Sequence, residues 1–331
     1  MSEVVVITGA SAGVGRATVR AFAKRGASIG LIARDTAGLS AAAEEVKAAG
    51  GRALPVPTDV ADSNAVEQAA ERIEAELGPI DIWINVAMAT IYAPLHRISA
   101  AEYRRATEVT YLGNVYGTMA ALKRMRARNR GTIVQVGSAL AYRAIPLQAP
   151  YCGAKFAIRG FTDSLRSELL HDRLNIHLTM VQMPALNTPQ FDWGRNKLPK
   201  RPQPVPPIFQ PEVAAQAIVF AAYARRREVW VGSPTIKAIL GNKIAPGLLD
   251  RYLARDGYTG QLSAEPADPA APDNLFEPVP GDRGAHGRFD SRASPSSGAL
   301  WVSMHKTSLL TGAAVAGVML VTVAVARMLK A

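Results

Sequence analysis

The 331-residue chain has a single cysteine, Cys152, so it can form no disulfide within itself and offers no cysteine cluster to a metal. So few thiols suit a reducing compartment. The five histidines lack metal-ligand grouping, and no metal is expected. Acidic residues are outnumbered 27 to 38 by Lys and Arg, giving a formal net charge of +11, and the excess lies within residues 1–257. A basic surface can meet nucleic acid, anionic lipid or a phosphorylated cofactor. The chain has no zinc finger, aromatic-laced basic strand or basic recognition helix, so nucleic acid is not expected as a partner. Met1-Ser2-Glu3 runs straight into a strand-like segment, so no cleaved export signal is expected. No internal repeat is visible.

What is present is an alternation of short β-type runs with helix-length segments. Val4-Val5-Val6-Ile7 is an apolar run of the kind buried on both faces. Further strand-like runs fall at Ser28 to Ala33, Ala53 to Val56, Ile80 to Asn85, Thr132 to Val136, Ile176 to Val181 and Glu228 to Val231. Gly15 to Arg25, Thr36 to Ala49 and Glu212 to Ala224 read as helices. The pattern predicts an α/β fold: a doubly wound parallel sheet (a Rossmann fold) with helices on both faces. Five prolines between Pro199 and Pro207 make residues 184–211 a loop, either a substrate lid or an inert insertion. We divide the chain into an oxidoreductase domain (1–257), a Pro/Gly-rich linker or strap (258–306) and a hydrophobic helix (307–328).

Thr8-Gly9-Ala10-Ser11-Ala12-Gly13-Val14-Gly15 follows the first strand and opens a helix. Glycines there let backbone approach a pyrophosphate, and a helix N-terminus supplies N–H donors. Thr-Gly-x-x-x-Gly-x-Gly resembles the turn of the short-chain dehydrogenase/reductase family in its single-domain form, over roughly residues 3–235. By that resemblance Thr8, Gly9, Ser11, Gly13, Val14 and Gly15 bind a nicotinamide dinucleotide. Where NAD-using relatives carry an acid after strand two, this chain has Ala33, followed by Arg34, which suits a 2′-phosphate. NADP(H) is therefore expected over NAD(H). Asp35 is either the start of a surface helix or a ribose-binding acid. Asp59-Val60 matches the adenine-contacting segment, with a structural turn aspartate as the alternative. Asn85-Val86-Ala87-Met88 keeps the first Asn and the Ala of the family's Asn-Asn-Ala-Gly and lacks its second Asn and its Gly.

Tyr151-Cys152-Gly153-Ala154-Lys155 sets Tyr and Lys one helical turn apart, and Ser138 stands thirteen residues earlier. The resemblance makes Tyr151 the acid/base on the substrate oxygen. Lys155 would hold the nicotinamide ribose and lower the tyrosine pKa, and Ser138 would polarise the carbonyl or alcohol oxygen. Pro184 and Thr188 match the family's stretch after strand six, with Thr188 expected at the carboxamide and Ala185 where a Gly is usual. Thr110 stands where the family has a catalytic Asn. It would hold the relay water through its hydroxyl, or Asn114 one turn on would do so. Cys152 reads either as a small buried filler or as a redox gate.

Thr307 to Ala326 carries no charge and is long enough to span a bilayer. Membrane anchor, amphipathic surface helix and buried core helix compete, and the anchor is the expectation, with the catalytic domain cytoplasmic. Membrane attachment, with Met183, Phe191 and Trp193 near the loop, suits a lipophilic small-molecule carbonyl or alcohol. Relatives of this family commonly form dimers or tetramers, so a homo-oligomer is one expectation. The rival reading is a membrane-attached NADP(H)-binding sensor or scaffold without turnover.

Overall fold

The structure, a computed structural model, describes residues 2–306. Seven strands form one parallel sheet: β1 (Val4–Thr8), β2 (Ser28–Ala33), β3 (Arg52–Pro57), β4 (Ile80–Asn85), β5 (Gly131–Val136), β6 (Ile176–Gln182) and β7 (Glu228–Trp230). Their order across the sheet is β7-β6-β5-β4-β1-β2-β3. Every pairing is parallel, with Val6 opposite Gly30 on one side and Trp83 on the other.

The sheet separates two apolar layers, and strand alternation sorts the side chains between them. Val5 and Ile7 face a core that includes Val19 and Phe22 of α1 (Gly13–Ala23), Leu39 of α2 (Thr36–Ala48) and Ile218 of a later helix, Pro211–Tyr223. Val4 and Val6 face the other core, built from Ile73 of α3 (Ser63–Leu77) and from later helices that bring Ala106, Met125 and Leu169. Those helices are α4 (Ala100–Thr107), α5 (Gly113–Arg128) and α6 (Ala149–His171). The Pro211–Tyr223 helix is α7, followed by α8 (Gly232–Ile244) and α9 (Pro246–Asp256). Burying a side chain such as Leu39 contributes about 1.5–3 kcal/mol. Both faces are covered, which is why the strands read as continuous apolar runs.

Between α4 and α5 the helix takes one π-type turn over Glu108–Leu112, an irregularity common at functional sites. Asp35 is the N-cap of α2, its carboxylate accepting from the Ala37 and Gly38 amides.

The segment after residue 257 lies against the domain. Leu262–Pro266 pairs antiparallel with Lys200–Pro202, and Ala293–Ser294 pairs parallel with Ile208–Phe209. Leu275, Val279, Ala285, Phe289 and Leu300 are buried, Leu275 completely. The proline-rich loop is therefore stitched to this strap at two places, and its residues Gln203, Pro204, Val205 and Pro206 line the cavity described below. Residues 298–306 are helical. The hydrophobic stretch 307–328, read above as a membrane helix, lies outside the described residues. Among the described residues no helix is long and apolar enough to cross a membrane.

Candidate active site

A cavity of about 460 Å3 runs along the carboxyl ends of the strands, where doubly wound sheets bind ligands. At one end stand Arg34, Asp59 and Val60. The glycine turn forms the floor, and Ser138, Tyr151 and Lys155 stand further along with Pro184 and Thr188. Leu140, Ile145, Val205 and Leu253 add apolar lining to the cavity, beside the polar Gln148, Gln203 and Asp256. Met183, Phe191 and Trp193 also line it.

The glycine turn is a cradle without spare room. Gly9 has φ of +69°, and a Cβ there would lie 2.9 Å from the Ala87 Cα. A Cβ on Gly15 would lie 2.0 Å from the Gly9 carbonyl oxygen, so only glycine lets the helix approach its own turn. The first turn of α1 has no acidic residue and its N-cap makes no side-chain bond. The Gly13 amide donates to the Gly284 carbonyl; the other N-terminal amides and the positive dipole end are presented to an anion. Arg34, where β2 ends, sits at the rim with its guanidinium donating to the Asn274 and Phe276 carbonyls. Burial lowers its pKa from the ordinary arginine value, although an arginine stays charged at neutral pH. These groups fit a phosphorylated dinucleotide.

Tyr151 lies in the first turn of α6, after Pro150, and Lys155 is one turn on. The Lys155 Nζ stands 5.5 Å from the Tyr151 ring centroid and donates to the Val136 carbonyl at 2.6 Å. Burial lowers its pKa to about 8. Burial also pushes the Tyr151 phenol well up, and the Ser138 hydroxyl beside it acts in the opposite direction. Tyr151 therefore holds its proton at neutral pH and is set to donate it.

Ser138 is placed by a residue the sequence reading did not single out. Its backbone N–H donates to the Gln182 Oε1 at 2.9 Å, and the Gln182 Nε2 donates to Glu228 at 3.2 Å. Gln182 is fully buried at the end of β6. A glutamine closing a strand buried at its last five positions was the available signal, since a buried amide needs partners.

Three expected contacts stand elsewhere. Thr8 does not line the cavity: its hydroxyl accepts from the Val86 and Ala87 amides at 3.0 and 3.2 Å, tying β1 to the β4 loop. Asn85 also lies off the cavity, bonded to Trp83, Thr118 and Gln135. It carries a buried polar network, while Ala87 of the same segment does line the cavity. Thr110 spends its hydroxyl on Ala89, accepting from its N–H and donating to its C=O, so that hydroxyl points into backbone. Asn114 stands in α5, off the cavity wall, and its Oδ1 is buried without a partner. Asp59 is engaged on both oxygens, by the Ala61 amide and by Arg105, as a turn aspartate would be, at the cavity edge. Cys152 is a buried thiol whose pKa burial raises.

A dinucleotide cradle and a Ser-Tyr-Lys set, with Ser138 and Lys155 buried, in one cleft define an oxidoreductase of the doubly wound class. The chain belongs to the short-chain dehydrogenase family, whose profile matches residues 3–196. An uncharacterised oxidoreductase of Bacillus subtilis (strain 168), YxnA, is 30% identical over 317 residues, covering 95% of this chain and 88% of its own. The cis-4-hydroxycyclohexanecarboxylate dehydrogenase of Sinomonas cyclohexanicum is 33% identical over 66% of this chain and 89% of its own. Among solved structures, a metagenomic short-chain oxidoreductase in complex with NADP superposes with a TM-score of 0.59 at 26% identity, over 70% of this chain and 97% of that one.

Proposed function

We propose that this chain transfers hydride between NADP(H) and a carbonyl or secondary alcohol, the substrate being lipophilic. The observation that carries the reading is the meeting of Ser138, Tyr151 and Lys155 with the glycine cradle and Arg34 in one cavity. When bound, the nicotinamide supplies or accepts the hydride. Everything else falls to the chain. The glycine turn and the α1 N-terminus would hold the pyrophosphate, and Arg34 would pair with the 2′-phosphate, a contact that NAD(H) lacks. Lys155 holds the ribose hydroxyls. Ser138 donates to the substrate oxygen, and Tyr151 delivers its proton there as charge develops on that oxygen.

Leu140, Ile145, Val205 and Leu253 support an apolar substrate. The names of two relatives agree in kind, one the Sinomonas dehydrogenase of a ring alcohol, the other a 3-dehydrosphinganine reductase of Danio rerio, 31% identical over 65% of this chain. From sequence alone, with residues 307–326 free of charge, the stretch 307–328 is proposed as a membrane attachment, with the catalytic domain on the cytoplasmic side. Recovery of the intact protein in the soluble fraction after detergent-free lysis would count against that attachment.

The test is NADPH consumption by the full chain over a panel of apolar ketones and aldehydes, with Tyr151→Phe beside it and cofactor binding measured separately. Turnover that disappears in the variant while NADPH still binds supports the reductase. NADPH binding with no turnover on any substrate of the panel moves the weight to a non-catalytic sensor.

A further inference from the structure

The strap crosses the nucleotide cleft and is fastened on both sides of it. At the β2 end, the Arg34 guanidinium donates to the Asn274 and Phe276 carbonyls, each at 2.5 Å. Arg105 donates to the carbonyl between them, on Leu275, at 3.0 Å and pairs with Asp59 at 2.5 Å. Three successive strap carbonyls are thus spread over two arginines. The Leu275 side chain plugs into the core beneath and is fully buried. At the other end the Gly284 carbonyl accepts from the Gly13 amide at 3.0 Å, and Asp282 accepts from the buried Arg16 at 3.2 Å. Asn274 and, between these fastenings, Pro278 and Val279 line the same cavity as Arg34 and Gly9.

We propose that residues 274–284 form the outer wall of the adenosine and 2′-phosphate end of the cofactor site, an inference that rests on the NADP(H) reading above. A guanidinium has five donors, and the strap engages two of them on Arg34. The strap carbonyls carry no full charge and fix where the guanidinium points, while the nearby carboxylates of Asp59 and the strap's Glu277 act on its charge from the side. A charge held in position loses less entropy on meeting a phosphate than a free side chain does. The strap therefore raises preference for the phosphorylated dinucleotide through Arg34, and as an outer wall it slows release of whatever is bound. The family profile ends at residue 196, so this wall lies beyond the part of the chain that defines the family. The match to the Bacillus oxidoreductase covers 95% of this chain and so extends into the strap.

The experiment measures NADPH and NADH dissociation constants by nucleotide fluorescence, and NADPH release by stopped-flow displacement. It compares wild type, Leu275→Ala, Arg105→Lys, Arg34→Met and the Leu275→Ala/Arg34→Met double variant, all as full chains. Leu275→Ala and Arg105→Lys are each expected to speed NADPH release and to shrink the preference for NADPH over NADH. The change should be about tenfold, the equivalent of one charge-assisted hydrogen bond. In the Arg34→Met background, Leu275→Ala should leave the NADPH:NADH ratio where it was. A folded Leu275→Ala protein with wild-type release and ratio overturns the proposal, as does an equal loss for both nucleotides. If Leu275→Ala fails to fold, Arg105→Lys carries the same two outcomes. A wild type that binds neither nucleotide overturns the function reading as well. A wild type that binds NADPH, with strap variants indistinguishable from it, overturns the strap alone.

Discussion

The Thr110 hydroxyl closes a two-way bond with one residue, accepting from the Ala89 N–H at 3.0 Å and donating to the Ala89 C=O at 2.9 Å. It does so from within the π-type turn between α4 and α5, and both residues are buried. Thr110 thus pins the loop after β4, which borders the cavity through Val86, Ala87 and Met88. Thr110→Val keeps the shape and leaves an amide and a carbonyl without partners. It should lower stability by about 3 kcal/mol and kcat on the order of tenfold to a hundredfold by displacing that loop. Thr110→Ser should restore most of both. Urea unfolding and steady-state rates check this, and a Val variant with wild-type kcat removes Thr110 from any account of catalysis.

Lys155 titrates within reach of ordinary buffers, because burial lowers its pKa to about 8. The role proposed for it, donation to ribose hydroxyls, needs the ammonium form. NADPH affinity is therefore expected to be highest below pH 8 and to fall as pH rises through that value. Lys155→Met should bind more weakly, with no inflection near pH 8. Fluorescence titrations between pH 6.5 and 9.5 decide it, and an affinity flat across that range in the wild type contradicts the role given to Lys155.

His286 binds the strap to α7. Its Nε2 lies 2.9 Å from Glu212 and its Nδ1 lies 2.8 Å from Asp290. Partial burial works to lower its pKa, but the two carboxylates outweigh burial and raise it above the ordinary histidine value. The folded state thus favours the imidazolium. Its contribution is complete below the unfolded pKa of about 6.5 and is lost as pH rises through the raised folded value. The stability difference between wild type and His286→Gln should be largest near pH 6 and shrink towards pH 9. The same difference at every pH would show that the contact is steric.

The sheet was legible because its signals are local. Val4-Val5-Val6-Ile7 ends in a glycine turn, and that run forms β1 with every residue buried. Tyr151, Lys155 and Ser138 were legible through the family resemblance, one helical turn separating the first two and Ser138 standing two residues past β5. The strap was not, since its structure comes from partners far away in sequence: Leu275 has no periodic neighbours, and Arg34 reaches Asn274 across 240 positions. Sequence likewise showed that Thr8 and Asn85 stand at the ends of strands beside a nucleotide turn. It could not show that their side chains turn inward to backbone and to Gln135, because that choice depends on which buried groups lack partners.

Gln182 is the positioning residue whose removal should separate chemistry from binding. Its amide oxygen accepts the Ser138 N–H, and its amide nitrogen donates to Glu228, which also accepts from Tyr142 and Trp230. None of these bonds involves a group assigned to the cofactor's adenosine or pyrophosphate. Gln182→Met fills similar space, strands the Ser138 amide and removes a donor from Glu228, at a cost of about 1–3 kcal/mol. Ser138 then loses the bond that anchors its backbone, although its hydroxyl still accepts from the Leu140 N–H. Its contribution to polarising the substrate oxygen should fall, lowering kcat about tenfold or more while the NADPH dissociation constant stays near wild type. Gln182→Glu keeps the acceptor for Ser138 but sets a carboxylate against Glu228. It should retain more of kcat than Gln182→Met while losing more stability. If both variants lower NADPH affinity and kcat in parallel, the effect is a general loosening of β6, and Gln182 does not act through Ser138.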